Sequence, residues 1–258
     1  MYTRDHLDEL LQAFPADERD KLLAQAEEYN RLLHAFPKVE DIDAERPRRA
    51  MGILALNGAS GAGQSYVMER VERFLRERSL ELPRIYLLAT REPRPGEGHK
   101  NPYVFVREVK EGYQDIHHPE VIYSPTDIYY EYESRPGASN AILLEDIRSA
   151  LEQVMYLETV IPALLHIKTT AISDIPAWED DLQIVYLAAP DGYEWVYRLV
   201  NREPERLEEE AFRARILGRT TSSLSDMEIA VENEIPCVLN HYNQAEQAAK
   251  EILFAWGL

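Results

Sequence analysis

Eight consecutive residues set the first chemical constraint on this chain. Gly58-Ala59-Ser60-Gly61-Ala62-Gly63-Gln64-Ser65 follows the apolar run Ile53-Leu54-Ala55-Leu56 and leads through Tyr66 into Val67, Val71, Phe74 and Leu75 at helical spacing. A strand, a glycine-rich turn and a helix in that order form the setting in which G-x-x-x-x-G-K-[ST] cradles a phosphate chain. Glycines let backbone N–H groups curl around an anion, and the helix N-terminus adds a partial positive charge. Ser65 is the hydroxyl that such a loop offers to a metal ion. One defining position departs, because Gln64 stands where the pattern has lysine. Glutamine donates a hydrogen bond but brings no charge. A plain strand-to-helix turn would use the same glycines, and the loop by itself leaves that reading open.

A second cluster lies at Thr90-Arg91-Glu92-Pro93-Arg94-Pro95-Gly96-Glu97, followed by Tyr103-Val104-Phe105-Val106. Two arginines three apart, held by prolines, present two rigid forks suited to one phosphate. With 28 Lys and Arg against 46 Asp and Glu, the net charge is −18. That balance disfavours a nucleic-acid polymer or an anionic membrane as partner, and it makes a local arginine cluster informative. His117 and His118 with Glu120 read as a polar loop, since neighbours in an extended segment point to opposite sides and no further ligand stands at useful spacing. The single cysteine, Cys237, excludes an internal disulfide, and its apolar neighbours predict a buried thiol. No apolar run approaches a membrane span, and the first residues lack a signal-peptide core, so a cytoplasmic protein is expected.

The elements that must position these residues alternate. Residues 3–36 read as two helices separated at Pro15, a hairpin packed on the main domain or an arm for a homodimer. Residues 37–50 read as a linker. Strands are predicted at 51–57, 84–89, 103–106, 154–157, 182–187 and 236–239. Helices are predicted at 64–78, from Ser139 as N-cap through Leu151, from Pro162, and at 191–202, 224–233 and 243–255. Alternation of this kind predicts an α/β fold with a parallel sheet covered by helices on both faces. A polar insertion occupies 90–138. The expected division is 1–49 as helical extension and linker and 50–258 as the main domain.

Taken together, the loop and the arginine cluster resemble the guanylate kinase family. In that family a segment T-R-x-x-R-x-G-E, with a tyrosine six residues after the glutamate, binds the acceptor's phosphate. Arg91, Arg94, Glu97 and Tyr103 fall on those positions. The family's paired-tyrosine turn is matched by Asp127-Ile128-Tyr129-Tyr130-Glu131-Tyr132, which gives Tyr130 the role of reaching the same phosphate. Arg198-Leu199-Val200-Asn201-Arg202 fits the family's R-L-x-x-R helix, and Arg213 follows Arg202 at the separation of the two lid arginines, with the lid at 203–222. Val238-Leu239-Asn240 matches a V-x-N whose asparagine meets adenine. The resemblance implies a P-loop kinase-like fold binding ATP and Mg²⁺ through Gly58, Ser60, Gly61, Ala62, Gly63, Gln64, Ser65, Tyr66 and Asn240. It also implies Gln64, Arg202 and Arg213 as the catalytic positions.

Departures from the family carry as much information. Leu87, Leu88 and Ala89 precede Arg91 where the family has hydroxyl residues, and Tyr132 replaces a small residue. Apolar groups cannot stand in for hydrogen bonds that read guanine. Glu120 is the candidate for the family's base-reading glutamate and Glu158 for its metal-organising acid. The phosphorylated small-molecule acceptor is therefore expected to differ from GMP. Lys100 or Arg219 is a candidate to replace part of the missing lysine. Two functions stay open: an ATP-dependent phosphotransferase, or a catalytically impaired nucleotide-binding or protein-docking module on the same scaffold.

Overall fold

The computed structural model describes residues 3–37, 53–94, 96–100, 103–135, 137–156, 163–165, 182–256 and 258. The chain divides into two compact units. One joins the N-terminal residues, 56–78 and 183–258; the other holds 51–55 and 79–182. Strand β1 (Ile53–Gly58) contributes to both. No described helix is long and apolar enough to cross a membrane.

In the first unit, α1 (Arg4–Leu11) and α2 (Ala16–Ala35) open the chain. Thr3 caps α1, and Pro15 separates the two helices, as the sequence predicts for Pro15. Helix α3 (Gln64–Glu77) follows the glycine loop. Strand β10 (Leu182–Ala188) leads to α5 (Gly192–Val200), then α6 (Glu210–Glu232), β11 (Cys237–Leu239) and α7 (Ala245–Ala255). Strands run in the order β11-β10-β1, with β10 and β11 parallel in the register Leu187 to Val238. Helix α3 packs on α7, while α2 packs on both α5 and α6.

The N-terminal pair is part of this unit's core. Tyr29 is fully buried, stacks on Trp195 at 4.4 Å, and its hydroxyl both accepts from the Ala189 N–H (2.7 Å) and faces the Ala189 carbonyl (3.3 Å). Gln25 joins Thr220 and Thr221 of α6 through bonds of 2.7 and 2.9 Å. A Cβ on Gly192 would stand 1.9 Å from the Ala26 carbonyl oxygen, so only glycine lets α5 approach α2 this closely. The apolar stripe Leu7, Leu11, Leu22, Ala26 and Leu32 is thereby covered within this chain. The charged segment expected as a lid at 203–222 and the separate helix at 224–233 are one long helix from Glu210, preceded by a short turn of 3₁₀ helix at Pro204–Arg206. Buried Phe212, Ile216, Thr220, Ser223, Met227 and Ala230 recur at helical spacing along it and explain its continuity.

In the second unit, β2 (Arg84–Ile85) and β9 (Ala163–Leu165) are parallel and continue the strand order as β1-β9-β2. A separate six-stranded sheet has the order β6-β5-β4-β3-β8-β7, from β3 (Leu88–Ala89), β4 (Val104–Val109), β5 (Gly112–Asp115), β6 (Ile122–Tyr123), β7 (Ile128–Arg135) and β8 (Ala138–Leu143). Helix α4 (Leu144–Tyr156) packs against β2, β7 and β8.

The single strand expected at 84–89 is two short strands in different sheets. Ser139 is no N-cap: it lies in β8, antiparallel to both β3 and β7, after a turn at Gly137, whose φ is 73°. Residues 154–156, expected as strand, complete α4, and the strand lies at 163–165 where a helix was expected. Leu157, Glu158 and residues 38–50 of the linker expected at 37–50 lie outside the described residues.

Candidate phosphate-binding site

Backbone geometry builds the loop. Gly61 and Gly63 sit at φ 87° and 88°, the left-handed region that side chains disfavour. Gly63 is the N-cap of α3, and no side chain caps that helix. The first-turn N–H groups of Gln64, Ser65 and Tyr66 have no intrahelical acceptor, and none is found for them among the described residues. Ser65 and Tyr66 are exposed and Gln64 is half-buried. Vacant donors at the positive end of a 14-residue helix have the form of an anion site.

The earlier part of the loop is fastened inward instead. Gly58 donates its N–H to Asn57 Oδ1 (2.7 Å), Ala59 to the Leu187 carbonyl (3.2 Å) and Ala62 to the Ala59 carbonyl (2.9 Å). Ser60 donates to Ser223 Oγ at 3.0 Å, and its carbonyl accepts from Trp195 Nε1 at 2.8 Å. Ser223, Trp195 and Asn57 were not singled out in the sequence; a serine inside α6 carries no local signal of a bond to a residue 163 positions away. Asn240, which the resemblance sets against adenine, is 6% exposed, and its amide Nδ2 donates to the Ala62 carbonyl at 2.7 Å. A buried amide must find an acceptor, and here it anchors the loop.

The arginines of this unit are mostly engaged. Arg198 pairs with Glu194 and donates to the Asn240 carbonyl, both at 2.6 Å. Arg213 on α6 forms an ion pair with Glu18 of α2 (2.8 Å) and donates to the carbonyls of Leu207 and Glu208 (3.1 and 2.9 Å). Arg202 is exposed in the turn after α5. The vacant donors of Gln64 to Tyr66 suit an anionic group such as a phosphate, and the exposed Ser65 hydroxyl could serve as a cation ligand. Among the described residues no group of three or more His, Cys, Asp or Glu side chains forms a metal site.

No protein-family model matches this chain, and no curated protein does. Among solved structures, the guanylate kinase of Anaplasma phagocytophilum is similar at a TM-score of 0.49 and 14% identity, over 79% of this chain and 84% of that one. A likeness of that size assigns no residue a role.

In the second unit, Arg91, Arg94, Glu97 and Tyr103 come together. Arg91 forms a bidentate pair with Glu97 (2.6 and 2.8 Å), donates to the Glu92 carbonyl (3.0 Å), and lies over the rings of Tyr103 and Phe105, each centre 5.0 Å away. Glu97 also accepts from the Arg94 N–H at 2.8 Å. The Arg91 hydrogen bond holds the Glu97 carboxyl below its ordinary range. Burial raises the Tyr103 phenol. The side chain of Arg94 is exposed.

The paired-tyrosine turn expected at 127–132 is a short 3₁₀ turn ending at Asp127 followed by strand β7, in which Tyr130 stacks on Tyr132 at 6.0 Å. Tyr132 is buried and its hydroxyl accepts from Asn140 Nδ2 (3.2 Å). Leu87, Leu88 and Ala89 are buried. Glu120 sits on an exposed turn, 3.7 Å from His118 Nδ1. Asp115, 1% exposed, explains the polar loop: one carboxylate oxygen accepts the N–H groups of His117 and His118 (2.8 and 3.1 Å), and the other lies 3.5 Å from His99 Nδ1.

Proposed function

We propose that residues 58–66 bind the phosphates of ATP, and that the chain is a kinase-type phosphotransferase acting on a phosphorylated small molecule other than GMP. The observation that carries this reading is the uncapped N-terminus of α3, where the donors of Gln64, Ser65 and Tyr66 stand vacant beside left-handed glycines. Phosphoryl transfer depends on positioning and neutralisation of charge, which backbone donors and arginines supply. The exposed Ser65 hydroxyl would be a protein ligand for Mg²⁺, which would supply neutralisation of phosphate charge. Arg202, exposed beyond α5, would be the arginine that meets the transferring group. Arg91, Arg94 and Tyr103 would hold the acceptor's phosphate. Buried Leu87 and Leu88 offer guanine no polar partner.

A second reading, a nucleotide-binding module without transfer, is favoured by two particular features: Gln64 brings no charge, and Arg213 is committed to Glu18. Calorimetry with MgATP tests the binding step common to both, with an expected Kd in the high micromolar to millimolar range. No heat of binding at millimolar nucleotide overturns both. Phosphotransfer across a panel of phosphorylated acceptors, with Arg202→Ala as control, separates them. Transfer should fall about 10²–10³-fold in the variant. Equal rates in the two proteins favour the module, and ordinary turnover of GMP removes the acceptor assignment.

A further inference from the structure

The second unit contains a cavity of about 590 Å³ that none of Arg91, Arg94, Glu97, Tyr103, Glu120 or Tyr130 lines. It lies on the other face of the six-stranded sheet. Val104 lines it, whereas the next residue, Phe105, lies beneath the Arg91 guanidinium. Successive side chains of a strand point to opposite faces, so the two sites are separated by the sheet itself. The cavity's apolar wall is Tyr86, Val104, Tyr123 and Leu143, continuous with the small core around Leu88, Val106 and Ala141. Its size is that of small-molecule pockets generally.

Charged residues of both signs stand on its wall, Asp146 and Lys100 together with Arg84, Asp127, Glu145 and Arg148. Asp146, half-buried in the first turn of α4, has no side-chain hydrogen bond or ion pair among the described residues. A place in the first turn accounts for an acid there through the helix dipole, and on the cavity wall its carboxylate is open to a ligand's donor. Lys100, also on the wall and exposed, has its ammonium 5.9 Å from the Tyr86 ring centre and no ion pair among the described residues. Its backbone is held at φ 54°, and its N–H donates to the Tyr103 carbonyl at 3.0 Å. A left-handed lysine is a strained placement of the kind that gathers at binding sites. The two opposite charges attract one another without touching; burial raises the Asp146 carboxyl and Lys100 lowers it.

We infer that this cavity binds a small zwitterion with a flat apolar body, its ammonium on Asp146, its anionic end on Lys100 and its body against Tyr86 and Tyr123. Such a ligand supplies each of these two charges with a partner. A purely cationic or purely anionic ligand satisfies only one. Nothing in the assignment uses residues 58–66, so it stands or falls apart from nucleotide binding.

Three matched probes test it on the whole chain: L-phenylalanine, phenethylamine, which lacks the carboxylate, and 3-phenylpropionate, which lacks the amine. Saturable L-phenylalanine binding by ligand-observed NMR is expected, at least tenfold tighter than either truncated probe. Asp146→Asn and Lys100→Gln should each weaken it at least tenfold, while Arg91→Ala leaves it unchanged. Absence of saturable L-phenylalanine binding, equal affinity for all three probes, or binding indifferent to both charge variants overturns the inference. The three-probe comparison needs only the unmodified protein, so a variant that fails to fold does not blunt the test.

Discussion

At the level of single residues, the loop and the arginine cluster make opposite use of charge. Arg198 and Arg213, in the same unit as the loop, are both committed to carboxylates. Gln64→Lys should therefore add a charge-assisted contact of about 1.5–3 kcal/mol and tighten MgATP roughly ten- to a hundredfold. An unchanged Kd in calorimetry would mean that another cation already serves the phosphates. Glu97 presents the converse case, because its carboxyl is held below the 4.5 of a free glutamate by Arg91. The pair's stabilisation is present in full above pH 4.5 and is lost as pH falls through the lower folded value. Glu97→Gln should cost about 1–3 kcal/mol at pH 7 in urea unfolding. The gap between variant and parent should narrow below pH 4.5, and a gap that does not change with pH would contradict the assignment.

Among the elements, those legible from the sequence are the ones whose periodicity is local. Strand β1, α3, α5 and β11 fall where apolar spacing and the glycine loop put them. Residues 84–89 look like one strand because a run of apolar residues does not reveal that its two ends pair in different sheets. Ser139 resembles an N-cap because serine before a leucine-rich stretch is a local helix signal. Pairing of Ala138–Leu143 with strands on both sides overrides it. Asn240 shows the same limit at the site, since its bond to Ala62 joins residues 178 positions apart. That bond pins the loop, so Asn240→Ala should weaken MgATP binding several-fold and raise amide exchange at Gly61 to Gly63. Unchanged exchange there would remove the anchor role. For the contact between α2 and α5, Gly192→Ala pushes a methyl into the Ala26 carbonyl. A loss of about 1–3 kcal/mol is expected, with a changed near-ultraviolet signal from Trp195, and unaltered thermal unfolding would contradict the close approach.

Across the whole molecule, the two units differ in how the chain supplies them. Residues 79–182 of the second unit are continuous, while the first is assembled from both ends. Deleting residues 1–36 should uncover Trp195, Thr220 and their neighbours and abolish cooperative unfolding of the first unit; a truncated chain that keeps the parent's melting transition would show α1 and α2 to be dispensable. This arrangement also has a consequence in time. A ribosome releases α1 and α2 with their leucine stripe bare, and the helices that cover it, α5 and α6, emerge more than 150 residues later. At about 5–20 residues per second, that wait lasts roughly ten to thirty seconds. Throughout it, α1 and α2 are an amphipathic hairpin in search of a partner, while every residue of the second unit is synthesised before α5 begins. Nascent chains stalled near residue 180 should accordingly be bound by chaperones through residues 4–35, and full-length released chains should not.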